Sequence, residues 1–382
     1  MSEIVQDPIK ISEDQLDDLK QRLAMTRWPD KETPGDWTQG VPLEYMKDVC
    51  AYWADGYDWR KCEAELNAFN PFKTTIDGLG IHFLHVRSPH ENALPLIMSH
   101  GWPVSVIEFM KVIGPLTDPT AHGGNAEDAF HVVCPALPGF GFSDKPTETG
   151  WTIERIGGAW GQLMAKLGYD RYVAQGGDWG AIITTSMGKT EIDHCACIHL
   201  NMPLVAPDPD TMDDLTEFEK SAIVSGQYYW DWGSGYSKEQ STRPQTLGYG
   251  LADSPSGQAA WVMEKYWAWT DCKGHPENAL TRDELLDNVM MYWLTDSGAS
   301  SGRIYWESFN NTIAGIGQTT IDMPTGCSIY PHEIFRSSRR WAEKTFTNLV
   351  HFNTLDEGGH FAAFEQPVVF VEELRTCFRA LR

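Results

Sequence analysis

Apolar and polar positions change rhythm along this chain, and each rhythm predicts a different element. In "ISEDQLDDLKQRLAMTRW", Leu16, Leu19 and Leu23 recur at helical spacing, and Ser12 followed by Gln15 predicts a capping box at the helix start. A second helix is expected over "PLEYMKDVCAYWADGY". This segment is too small for a core of its own, so it is expected to pack across the main body. Between Phe72 and Ser88, two alternating runs flank Asp77-Gly78, which predicts a hairpin. Short apolar runs follow in "LPLIMSHG", "FHVVCPALPG", "RYVAQGGD" and "CACIHLNMP", with helical segments between most of them. Buried strands alternating with helices imply an α/β protein, a mostly parallel sheet with helices on both faces.

The rhythm changes again after about Ala206. Long helical segments rich in aromatic residues appear, among them "AAWVMEKYWAWTD" and "ELLDNVMMYWLTD". Strands return at "MPTGCSIYP" and "NLVHFNTL", and a last helix is expected over "PVVFVEELRTCFRAL". The expected organisation is an N-terminal meander over 1–70, a first part of the core over 71–205, a helical lid over 206–315 and a second part of the core over 316–382. A helical insertion at this point would lie beyond the carboxyl ends of the strands, where open α/β sheets hold their sites.

Charge narrows the partners. Against 30 basic residues stand 53 acidic ones, a net charge of −23, which argues against nucleic acid or an anionic membrane surface. No apolar run approaches the length of a membrane span, and "MSEIVQDPIK" lacks the basic start and apolar core of a signal peptide. The expectation is a soluble, cytoplasmic protein with no membrane partner; self-association is left open. The eight cysteines show no CxxC pair and no framework spacing, so reduced thiols are expected. In "DHCACIHL", Cys195 and Cys197 share one strand face while His194 and His199 fall on opposite faces, a buried strand rather than a metal site. Of the 16 tryptophans, most must fill core, and some are expected to wall a large apolar pocket.

The chemistry concentrates in "RYVAQGGDWGAII". An apolar run ends in Gly176 and Gly177, then Asp178, Trp179 and Gly180, and an apolar helical segment begins. That is the layout of a nucleophile elbow with a carboxylate at the tip, where serine is common. Asp178 could instead be a plain helix N-cap, but a cap has no need of glycines on both sides. The one literal G-x-S-x-G, "GASSG" around Ser300, has no strand before it, and Ser300 is expected to be a loop residue. His360 in "EGGHFAAFEQP" follows the last strand, where a histidine can reach back to the elbow. The supporting acid belongs after the preceding strand, and "CSIYPHEIF" offers Glu333; Asp322 and Asp356 come before and after the expected loop. The chain order is nucleophile, acid, histidine, as in α/β-hydrolases. Oxyanion donors are expected from the backbone N–H groups of Trp179 and of Trp102 in "MSHGWPVS", with His100 holding that loop in shape.

Together these pieces resemble the microsomal-type epoxide hydrolases of the α/β-hydrolase fold. The resemblance covers nearly the whole chain. It rests on "YWADGYDWRKCEAELNAFNPFKTTIDG", "HGWP", "GFGFS", "GGDWG", "STRPQTLGYGLADSPSGQAAWVMEKYWAW" and "GGHFAAFEQP", in that order. It implies two lid tyrosines facing the nucleophile, and Tyr236 and Tyr305 fall at the matching positions. Val104 stands where glycine is common, and the relay acid is Glu where many relatives have Asp. Membrane-bound relatives carry an N-terminal anchor, and none is expected here.

The chemistry implied is self-consistent. An epoxide has no carbonyl, so it needs a nucleophile that stays ionised near pH 7 and an acid for its oxygen. A carboxylate is ionised without a base to activate it, and phenols of pKa about 10 stay protonated. The expected partners are a small epoxide, aryl or bulky alkyl, and water, with no cofactor. A haloalkane dehalogenase, which uses the same aspartate ester, is the alternative; it needs halide-binding N–H donors on the lid rather than phenols. A catalytically silent ligand-binding protein of this fold is disfavoured by the complete triad with both tyrosines.

Overall fold

The computed structural model describes residues 3–315 and 319–382, with the side chains of 310 and 313 left aside. The boundary expected between 315 and 316 therefore meets residues 316–318, which lie outside the described residues. Among the described residues nine strands form one sheet: β1 Val5–Gln6, β2 Pro71–Ile76, β3 Leu79–Val86, β4 Leu94–Ser99, β5 Phe130–Pro135, β6 Tyr172–Gly176, β7 Cys195–Leu200, β8 Thr325–Ile329 and β9 Leu349–Thr354. Their order across the sheet is β1-β2-β3-β5-β4-β6-β7-β8-β9. The first three ladders, ending with β3 on β5, are antiparallel, and those from β5 to β9 are parallel.

The chain places β4 at the centre, then β5 to one side and β6 to the other. That reversal opens a crevice beyond the carboxyl ends of β4 and β6, the place where such sheets bind ligands. Both faces of the sheet are covered, as adjacent residues of β7 show, because neighbours on a strand point to opposite faces. Ile198 meets Gly188 of the helix Trp179–Thr190, while Cys197 meets Cys377 of the helix Pro367–Phe378. All eight cysteines are free and buried.

The helix Glu13–Ala24 starts in the expected capping box, Ser12 and Gln15 each accepting the other's backbone N–H. Strand β1 has no sequence signature, since two exposed residues are too few to show a period. The helix Leu43–Asp55 is bonded to the helical segment between β7 and β8: Trp53 donates to Met290 Sδ at 3.2 Å, and the Tyr52 hydroxyl to Asp283 at 2.6 Å. That segment contains the helices Glu217–Tyr228, Gly235–Thr242, Pro244–Asp253, Pro255–Trp269, Arg282–Trp293 and Gly298–Gly315, with a π turn over Tyr229–Gly233.

One expectation is corrected here. Ser300 is not a loop residue; it lies in the first turn of the helix Gly298–Gly315, buried, with its hydroxyl donating to the Gly139 carbonyl at 2.6 Å. The small residues of "GASSG" serve close helix packing: a Cβ on Gly248 would stand 2.5 Å from the Ala299 Cβ. No helix among the described residues is long and apolar enough to cross a membrane.

Candidate active site

Strand β6 ends at Gly176 and the next helix starts at Trp179, so the turn between them has almost no length. A Cβ on Gly180 would lie 1.8 Å from the Ser99 carbonyl oxygen, and one on Gly176 would lie 2.0 Å from that of Gly180. No side chain fits at either place. Asp178 takes φ +50° and ψ −128°, a strained conformation for a residue with a Cβ, costing on the order of 1–3 kcal/mol. It occupies the N-cap position, yet its side chain caps nothing. Instead Oδ1 accepts the Trp102 backbone N–H at 2.8 Å, across the crevice from β4. The Trp179 N–H, in the first turn of its helix, has no acceptor within that helix. His100 holds the Trp102 loop: its Nδ1 donates to the Gly101 carbonyl at 2.9 Å, and its Nε2 accepts the Leu137 N–H at 3.2 Å.

The loops after β8 and β9 meet at a bridge between His332 and Gly359. That bridge sets their neighbours side by side. His360 Nδ1 bonds Glu333 Oε1 at 2.6 Å, and His360 Nε2 stands 3.3 Å from Asp178 Oδ2. All three side chains are buried, Asp178 the least so at 9% exposure. Asp322 and Asp356, the weaker acid candidates, are exposed. Burial works against charge on His360, but the Glu333 and Asp178 carboxylates outweigh it and hold the imidazole pKa well above the ordinary histidine range. Burial raises the Glu333 pKa, with the imidazole opposing.

Two phenols close the site from the helical segment. The Tyr236 ring stacks on Trp102, centroids 4.9 Å apart, and the Tyr305 ring stands edge-on to Trp179 at 4.8 Å. The two tyrosines are themselves 5.7 Å apart. Burial raises both phenol pKa values, so both stay protonated and available as donors. The Tyr305 hydroxyl is buried; no well-aligned hydrogen bond reaches it, and the Tyr236 and Trp179 side chains interact with it. Asp178, Glu333, His360, Tyr236, Tyr305, Trp102 and Trp179 thus converge on this one crevice, while the acid candidates Asp322 and Asp356 do not join them.

Sequence reasoning missed two neighbours. The Tyr229 hydroxyl lies 3.2 Å from that of Tyr236, and the Lys265 ammonium sits 4.4 Å from the centre of the Tyr236 ring. A seven-residue spacing between Tyr229 and Tyr236 was the available hint, but one tyrosine among 13 carries little by itself. A cavity of about 1030 Å³ reaches Tyr236 and Glu333 and has Trp37, Trp232, Trp261, Trp267 and Trp269 in its walls. Another of about 730 Å³, between Pro138 and Ile304, touches none of the triad. Among the described residues no group of three or more His, Cys, Asp or Glu side chains is placed to hold a metal ion.

Comparison with known proteins finds similar chains and a similar fold. A family profile described as the epoxide hydrolase N terminus matches residues 4–109, and one described as the alpha/beta hydrolase fold matches residues 95–249. The chain is 57% identical to a Stigmatella aurantiaca protein provisionally named an epoxide hydrolase, over 98% of this chain and 85% of that one. It is 34% identical to epoxide hydrolase 1 of Sus scrofa, over 96% of this chain and 87% of that one. Its structure matches that of Aspergillus niger epoxide hydrolase with a TM-score of 0.90 and 31% identity, covering 100% of this chain and 97% of the other.

The electrostatics of the His360 site can be tested directly. Glu333→Gln removes a charge that raises the His360 pKa while keeping a hydrogen-bond acceptor for Nδ1, so that pKa should fall. An NMR titration of the imidazole measures it; an unchanged or higher value would show that Glu333 does not set the charge state of His360.

Proposed function

Since this chain belongs to the epoxide hydrolase family, we propose that it converts epoxides to vicinal diols through a covalent ester on Asp178. The observation that carries the reading is the buried line Glu333–His360–Asp178, with contacts of 2.6 and 3.3 Å, facing two phenols. With Asp178 Oδ1 tethered to the Trp102 amide, Oδ2 is the oxygen that attacks the ring carbon. The carbon–oxygen bond breaks, and Tyr236 and Tyr305 donate to the oxygen that gains the charge.

Ester formation then prepares the second step. The Asp178 negative charge is one of the two that raise the His360 pKa, and esterification removes it. The imidazole pKa falls, so the ring can shed its proton and serve as base for water. Hydrolysis therefore speeds up as pH rises through that lowered pKa. Water attacks the Asp178 carbonyl carbon, and the oxyanion rests between the Trp102 and Trp179 amides. The two phenols over Asp178 favour an epoxide over a haloalkane as substrate.

Replacing His360 with Gln should leave the first step intact and slow the second by roughly 10²–10⁴. Intact-protein mass spectrometry after mixing with styrene oxide should then show an adduct of the substrate's mass. Normal turnover by His360→Gln would place the base elsewhere.

The aromatic walls of the large cavity support aryl or bulky alkyl epoxides as the substrate class. Burying a phenyl ring contributes on the order of 1.5–3 kcal/mol, roughly a tenfold to hundredfold preference if realised in the transition state. Styrene oxide should thus exceed propylene oxide in kcat/KM by about that factor. Equal or reversed values would mean that these tryptophans only fill space.

A further inference from the structure

The two phenols sit in unlike surroundings. No well-aligned hydrogen bond reaches the Tyr305 hydroxyl, which interacts with the Tyr236 and Trp179 side chains, and its ring packs among those of Trp102, Trp179, Tyr236 and Phe309. The Tyr236 hydroxyl ends a chain of hydroxyl groups whose direction can be worked out. Ser237 Oγ donates to the Ser234 carbonyl at 2.8 Å, and a carbonyl can only accept. Tyr229 donates to Ser237 Oγ at 3.3 Å, which uses its one proton. The 3.2 Å contact between the two tyrosines must then be Tyr236 donating to Tyr229.

The ring of Tyr236 is equally particular. One contact is the stacked indole of Trp102, and another is the Lys265 ammonium, 4.4 Å from the ring centre. Lys265 is buried and paired with Glu264, which fixes it in place. A cation over a phenol ring attracts it, and attracts the phenolate more strongly.

Resting on the Asp178 ester reading, we propose that Tyr236, rather than Tyr305, gives up its proton when the ring opens, with Tyr229 and Lys265 as positioning residues acting through it. Asp178 Oδ2 bonds to the ring carbon, and the carbon–oxygen pair moves to the epoxide oxygen, which takes the Tyr236 proton. Tyr236 has by then turned its O–H from Tyr229 toward the substrate. Tyr229 in turn swings its O–H from Ser237 to the Tyr236 oxygen, and keeps that proton. A hydrogen bond that starts neutral becomes one to a developing charge, the stronger kind. Lys265 stabilises the same phenolate from the ring face. The water consumed in the second step brings two protons: one completes the second hydroxyl and the other restores Tyr236, while the proton that His360 released on ester formation returns to it once Asp178 is again a carboxylate. Tyr305 donates a hydrogen bond throughout and stays a phenol.

The test follows ester formation with styrene oxide by rapid quench and intact mass, in the His360→Gln background where the adduct accumulates. Tyr229→Phe should slow it roughly tenfold, the worth of one hydrogen bond to a charged group. Lys265→Met should also slow it, and Lys265→Arg should recover most of the loss. Both effects should vanish to within about twofold when Tyr236→Phe is added and persist with Tyr305→Phe. Tyr236→Phe alone should slow the step more than Tyr305→Phe. The reverse order, an undiminished effect of Tyr229→Phe beside Tyr236→Phe, or a Tyr229→Phe variant as fast as its parent overturns the assignment. A parent that forms no ester overturns the Asp178 reading itself.

Discussion

Two carboxylates share one imidazole in a place that is almost closed to water, and the rest of the structure is arranged around holding them there. Left alone, buried charges of this kind would neutralise by proton uptake. Here the 2.6 Å bond from His360 to Glu333 and the 3.3 Å approach to Asp178 let the three groups compensate one another. Three loops at the carboxyl edge of the sheet must therefore agree in position. The switch between β4 and β6 supplies the crevice, the elbow supplies a rigid tip, and the His332–Gly359 bridge sets Glu333 beside His360.

The helical segment takes part in that positioning. The His360 N–H donates to the Trp269 carbonyl at 2.9 Å, and Glu365 joins the Asp271 N–H to that of Phe361 at 2.8 and 3.0 Å. The indole of Trp269 packs against the His360 ring, centroids 5.1 Å apart. The end of the helix Pro255–Trp269 thus holds the histidine loop, while Tyr236 and Tyr305 of the same segment stand over Asp178. Displacing this segment would move the two phenols and His360 together, and under the proposed mechanism that would link ring opening to ester hydrolysis.

Much of this was legible in the sequence where a local rule is strict. A strand, two glycines, an acid and another glycine permit few conformations, so the Asp178 turn could be read from six letters. Chain order was enough to prefer Glu333 over Asp322 and Asp356, because each strand of a parallel sheet delivers its following loop to the same edge. Local rules failed where packing decides. "GASSG" has the composition of a loop, yet its small residues let one helix lie against another. Strand β1 exists only because β2 offers it an edge. Tyr229 and Lys265 were invisible because their significance lies in contacts with Tyr236 across a π turn and from a separate helix.

In the proposed mechanism water attacks the protein and not the epoxide, and a single turnover in H₂¹⁸O separates the two. With enzyme in excess over styrene oxide, the account places the heavy oxygen in the Asp178 carboxylate, found by mass spectrometry of the peptide that contains it. The first diol formed should be unlabelled, its new oxygen having come from the aspartate. Label confined to the diol, with the Asp178 peptide unchanged, would mean direct hydration of the ring and would contradict the ester mechanism.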